Sequence, residues 1–181
     1  MIAEVYAFAR QPLYKADPGL DISYRFRIFS QLLFWKLLIS VAFGILISVL
    51  IHWRILQPGD NKIPQLLEEA SIWFLLLSIV LLVPLLEEVL FRGPLWFFRN
   101  SRWFPLVFYF LTVSFGLVHL WNYSEFERQW WLAPVLVAPQ LNAGVFLGFI
   151  RVRFGLGWSI ALHATYNLML IGPFMLVRFF T

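Results

Sequence analysis

Cysteine is absent from the 181 residues. That removes a disulfide framework, a thiolate metal site and a cysteine nucleophile. Charge is scarce as well: 13% of residues are Asp, Glu, Lys or Arg, about half the usual quarter. Hydrophobic residues reach 61%, against roughly 45–50% in a soluble domain. A chain this short cannot bury so much apolar surface. A disordered chain, a nucleic-acid-binding module and an ordinary cytosolic enzyme are thereby excluded. The only aspartates are Asp17, Asp21 and Asp60, all outside the long apolar runs, which excludes an intramembrane aspartyl dyad. No HExxH occurs, so the helix-borne zinc pair with its glutamate base is missing. Ser159 lies four residues before His163, but no Gly-x-Ser-Gly turn exposes it as a nucleophile.

What is present is a series of apolar runs, each near the roughly 20 residues a spanning helix needs. They cover 31–53, with Lys36 near the start; 71–86, resuming through 98 after Glu87 and Glu88; 104–121; 130–150; and 154–177, with Pro173 near the far end. Barrel strands would alternate with period two, whereas these runs are continuously apolar. The fold class predicted is all-α, a polytopic transmembrane helical bundle of about five spans, or six with an added re-entrant piece. Residues 1–30 form an N-terminal tail, cytoplasmic or lying at the interface, and 31–181 form one transmembrane domain. With alternating helices, one side carries Arg10, Lys15, Arg25, Arg27, Arg99, Arg102, Arg151 and Arg153, and the other Arg54, Lys62, Arg128 and Arg178. Eight against four places the N-terminus in the cytoplasm. The net charge of +4 is loop charge facing a membrane surface, and the lipid bilayer is the first partner. Gly144 and Gly148 form a small-xxx-small pair suited to close helix packing inside the bundle.

The second run carries Glu87, Glu88 and Arg92 within six residues. Three central charges cost about 8–10 kcal/mol on insertion scales. The 12 Leu, Ile, Phe and Val residues of 71–86 return only about 4–7 kcal/mol. The charges must therefore pair inside the bundle. Glu88 and Arg92 are four apart and share a face. Glu87, rotated about 100° away, has no partner in its own helix. His119 on the third run, and His163 and Asn167 one turn apart on the fifth, lie at depths that allow one cluster in the cytoplasmic half or near the midplane. A carboxylate and an imidazole can deprotonate a water. A second imidazole and an amide can donate to an oxyanion. Together they suffice for amide hydrolysis without a covalent intermediate.

Glu87-Glu88-Val89-Leu90-Phe91-Arg92-Gly93, Phe115-Gly-Leu-Val-His119 and His163-Ala-Thr-Tyr-Asn167 resemble, in order and on separate helices, the EExxxR, FxxxH and HxxxN motifs of the CPBP family. That family, also called ABI, comprises type II CAAX prenyl proteases and bacteriocin-processing or immunity proteins. The resemblance covers about residues 70–171. It implies a glutamic intramembrane endopeptidase in which Glu87 and His119 activate water and His163 and Asn167 stabilise the oxyanion. Glu88, Arg92 and Phe115 would support them. The substrate implied is a membrane-associated or lipidated protein or peptide. The short chain fits a compact prokaryotic member in the plasma membrane. No cofactor is expected; the alternative is zinc on Glu87, His119 and His163. The rival functions are a non-catalytic immunity or adaptor protein, and a small proton-coupled transporter, since intramembrane Glu, His and Arg also build proton relays.

Overall fold

The structure, a computed structural model, describes residues 1–19, 21–57 and 59–180, without the side chains of Phe126, Arg128 and Gln129. The loop charge of Arg128 and the last residue of the 31–181 domain, Thr181, lie outside the described residues. The chain is a helical membrane bundle. Helices α1 (Ile2–Arg10), α2 (Ile22–His52) and α3 (Lys62–Glu69) come first. A second span, Ile72–Trp96, is assembled from α4 (Ile72–Leu75), a π-helical stretch Leu76–Leu82, α5 (Val83–Phe91) and a 3-10 turn Pro94–Trp96. Next are α6 (Phe104–Val118) with a 3-10 turn His119–Asn122, a 3-10 stretch Phe126–Leu132, α7 (Ala133–Leu136), α8 (Ala138–Phe154) and α9 (Leu156–Phe180).

Among the described residues, four helices are long and apolar enough to cross a membrane, and five if the bent pair Trp130–Leu136 plus Ala138–Phe154 is one span. The fourth span was expected to be continuous over 130–150. It is instead broken by 48° at Val137, where Pro139 in the first turn of α8 has no N–H to continue the helix from α7. It also runs on to Phe154, so Arg151 and Arg153 belong to the last turns of α8 and not to a loop. Gly155, at φ +103°, reverses the chain into α9 with a backbone conformation suited to glycine.

The first span begins at Ile22, capped by the Asp21 carboxylate, which accepts the Ser23 N–H at 2.9 Å. The domain boundary expected at residue 31 thus falls inside α2. The N-terminal segment packs against the bundle. Val5 of α1 is buried, and the Phe8 ring packs edge-on against Phe108 and Phe149. Tyr109 Oη donates to the Ala9 carbonyl at 2.7 Å. Helix α8 lies at the centre, buried from Ala143 through Val152 except Val145. Gly144 and Gly148 make that possible. A Cβ at Gly144 would come within 2.8 Å of Thr112 Cγ2 and 3.3 Å of Arg92 Nη2, and one at Gly148 would collide with the Phe108 ring. The small-residue face therefore packs inside the bundle, against α6. Large apolar residues such as Val41, Ile45, Leu77, Phe110 and Leu176 remain on the outside, where lipid replaces water as the solvent.

Asp17 ties the N-terminal segment to α8. Its carboxylate accepts the Gly19 N–H at 2.9 Å, the Arg153 Nε–H at 3.0 Å and the Tyr24 hydroxyl at 2.9 Å. The Gly19 N–H first, then Arg153, hold its pKa below the ordinary carboxylate value. A lowered folded pKa means that the stabilisation is complete above about pH 4 and lost as pH falls through the folded value. Proteolysis of α1 in the purified protein should therefore accelerate only below about pH 4, and Asp17→Asn should show the accelerated rate at neutral pH. Equal cleavage of the two proteins at neutral pH would contradict this.

Candidate active site

The acidic pair sits on α5, in the second half of a span that begins irregularly. Pro84 causes the irregularity. Through the π-helical stretch the Val83 N–H bonds the Ser78 carbonyl, five residues back. The next donor in that register would be residue 84, which as proline has no N–H. The Ile79 carbonyl is left without a backbone donor, and Asn167 Nδ2 of α9 supplies one at 2.9 Å. The proline thus joins the span carrying the glutamates to the helix carrying the HxxxN residues.

Glu88 is fully buried and its oxygens are all engaged. Arg92 Nη1 lies 3.2 Å from Oε1 one helical turn on. His163 Nδ1 lies 3.0 Å from the same oxygen. The Ser159 hydroxyl bonds Oε2. Arg92 is itself buried, its guanidinium 4.0 Å over the Phe115 ring. Its carbonyl accepts Arg151 Nε–H at 3.1 Å. Arg151, counted as a loop charge from the sequence, is thus a buried brace under the site.

Glu87 turns to the other side of α5 and remains 21% exposed, between two imidazoles. Oε1 is 3.9 Å from His119 Nε2, and Oε2 is 3.6 Å from His163 Nε2. The motif spacings explain both rings. Helix α6 ends at Val118, so its last carbonyls lack helical donors. His119 Nδ1 takes the Phe115 carbonyl at 2.8 Å, which is what a four-residue FxxxH spacing allows. A carbonyl only accepts, so the proton is on Nδ1, and the neutral ring offers a lone pair at Nε2. His119 Nε2 and a Glu87 carboxylate are then two acceptors facing each other, a pair that a water molecule can bridge by donating to both. His163 is held by Glu88 at Nδ1, which orients its Nε2 toward Glu87. Phe115 forms a wall: its ring centroid is 4.9 Å from His119 and 6.0 Å from His163.

Glu87, Glu88, Arg92, Phe115, His119 and His163 therefore meet in one cluster. Asn167, one turn beyond His163, uses one of its two N–H donors on the Ile79 carbonyl. Ser159 is fully buried against Glu88, so it holds the carboxylate and offers no exposed nucleophile. Sequence inspection missed this role because a lone serine in an apolar helix carries no periodic signal. It missed Arg151 for a similar reason, since a basic residue at a span's end reads as a loop charge. Among the described residues, no group of three His, Cys, Asp or Glu side chains is arranged to hold a metal ion.

A family model described as Type II CAAX prenyl endopeptidase Rce1-like matches residues 69–169, from the end of α3 to within α9. No curated protein and no solved structure matches the chain.

Proposed function

Because the chain belongs to the Rce1-like family of type II CAAX prenyl endopeptidases, an intramembrane protease family, we propose that it hydrolyses a peptide bond of a membrane-associated or lipidated substrate with a water activated by Glu87 and His119. The observation that carries this is the pair of facing acceptors, Glu87 Oε1 and His119 Nε2, 3.9 Å apart. A water donating to both presents its own lone pair outward, toward a carbonyl carbon. Its oxygen bonds that carbon while its proton passes to Glu87. The C–N bond then breaks as Glu87 returns the proton to the leaving nitrogen. His163, when protonated, donates from Nε2 to the oxyanion, and the second N–H of Asn167 donates beside it. No cofactor takes part.

The direct test is cleavage of a fluorogenic peptide, with and without an attached prenyl chain, by purified protein in liposomes. Cleavage insensitive to chelators supports the mechanism. Activity lost to a chelator and regained with zinc would replace it with a metal mechanism, and proton flux without cleavage would favour a transporter.

The Pro84 arrangement yields a finer prediction. Pro84→Ala restores an N–H, lets the Ile79 carbonyl bond within its own helix, and releases Asn167. Thermal stability should hold or rise while kcat/KM falls by up to about 10²-fold, the scale of a misplaced catalytic group. An unchanged kcat/KM would show that this contact does not position Asn167.

The same reading puts the N-terminus in the cytoplasm of a prokaryotic plasma membrane. With no native cysteine, Asp60→Cys can be labelled cleanly. It should react with an impermeant maleimide only from outside the cell, and reaction only from the cytoplasmic face would invert the topology.

A further inference from the structure

The face of α2 that meets the bundle turns polar where it passes Tyr166. Ile28, Leu32, Lys36 and Ser40 recur every four residues and so share one side of the helix. Ile28 and Leu32 are buried in the same apolar cluster as Leu162 of α9. Leucine would continue that pattern at position 36. Lysine is costly in a lipid-spanning helix, and here it is 0% exposed. Both polar side chains reach one target on α9. Lys36 Nζ stands 3.2 Å from the centroid of the Tyr166 ring, and Ser40 Oγ accepts the Tyr166 hydroxyl at 2.8 Å. The ring contact needs no particular charge on the lysine. An ammonium makes a cation–π contact there, and a neutral amine donates an N–H to the same π face.

Tyr166 belongs to the HxxxN stretch, three residues after His163 and one before Asn167. At about 100° per residue, it projects about 60° to one side of His163, and Asn167 about 40° to the other. Each flank is tied to a different helix. Asn167 donates to the Ile79 carbonyl of the second span at 2.9 Å, and Tyr166 is held by α2. Between them, His163 and Ser159 are bonded to Glu88. Turning α9 about its axis in either direction strains one of the two lateral ties. We propose that Tyr166 is a positioning residue: α2 holds its ring with Lys36 and its hydroxyl with Ser40, and so fixes the rotation of α9 at which His163 Nε2 and the second Asn167 N–H aim at the oxyanion. Helix α2 lies outside residues 69–169, the stretch that the family model matches, so part of the site's geometry is set by a helix beyond it. The effect on rate rests on the peptidase function proposed above; the rotation of α9 does not.

Tyr166→Phe keeps the ring on Lys36 but loses the hydroxyl, and Ser40→Ala loses the acceptor of the same bond. A misplaced catalytic group costs up to about 10²-fold, so with one of two holds released each variant should lower kcat by about tenfold. KM should change little, because oxyanion donors act in the transition state. The double variant should lose no more than either single one, since both remove one bond. Ser40→Thr, which keeps a hydroxyl, should retain the rate. The second readout needs no substrate. In protein carrying isotope-labelled histidine, the NMR signals of the His163 ring nitrogens should shift in Tyr166→Phe and in Ser40→Ala, while those of His52, exposed at the end of α2, stay in place. If Tyr166→Phe fails to fold, Ser40→Ala carries both readouts. Unmoved His163 signals, an unchanged kcat, or losses that multiply in the double variant would each overturn the proposal. So would failure of Ser40→Ala to fold, which would make the bond one of stability alone. Should the wild-type protein cleave nothing, shifted His163 signals uphold the hold on α9 and the peptidase function falls by itself.

Discussion

Replacing Glu87 with glutamine should abolish peptide cleavage while leaving the protein folded. Gln keeps the shape and the half-buried position but cannot accept a proton from water. Positioned acid–base catalysis contributes roughly 10²–10⁴-fold, so kcat/KM should fall at least that far. The fold should survive because Glu87 makes no close ion pair: its imidazole contacts are 3.9 and 3.6 Å. His119→Ala should reduce the rate in the same assay, since it removes the other acceptor of the bridging water. Near-normal turnover by Glu87→Gln would remove it from the role of base.

Glu88→Gln should have the largest effect on stability. Glu88 is the hub of a buried network: Arg92, His163 and Ser159 all converge on it. Neutralising it leaves the Arg92 guanidinium, 2% exposed and stacked on the Phe115 ring, without its buried counter-charge. Breaking a buried pair from one side costs about 3–5 kcal/mol, chiefly from the orphaned charge. The measurement is thermal or denaturant unfolding in detergent, beside the cleavage assay. A stable but inactive Glu88→Gln, paired with an active Glu87→Gln, would exchange the two assignments. The two carboxylates are neighbours in sequence, yet they differ because a helix turns about 100° per residue. One faces the packed interior of the bundle, and the other faces the space between two imidazoles.

Much of this was legible in the chain itself. Continuous apolar runs allow only helices, since every backbone polar group in lipid must be satisfied within its own segment. The insertion arithmetic showed that Glu87, Glu88 and Arg92 had to pair. The i,i+4 spacing named Glu88 and Arg92 as partners, and the same spacing placed His163 and Asn167 on one face. These are local consequences of helix geometry and of the cost of charge in hydrocarbon. The tertiary structure decided everything that depends on which faces meet. Only there does His163 turn Nδ1 to Glu88 and Nε2 to Glu87, Ser159 become a ligand of Glu88, and Arg151 leave its supposed loop to brace Arg92. The bend at Val137, the orphaned Ile79 carbonyl behind Pro84, and Lys36 under Tyr166 belong to the same group. The physical reason is common to all of them. A missing N–H or a buried charge announces in the sequence that a partner is required, but contacts between distant segments choose that partner, and those contacts exist only once the helices have packed.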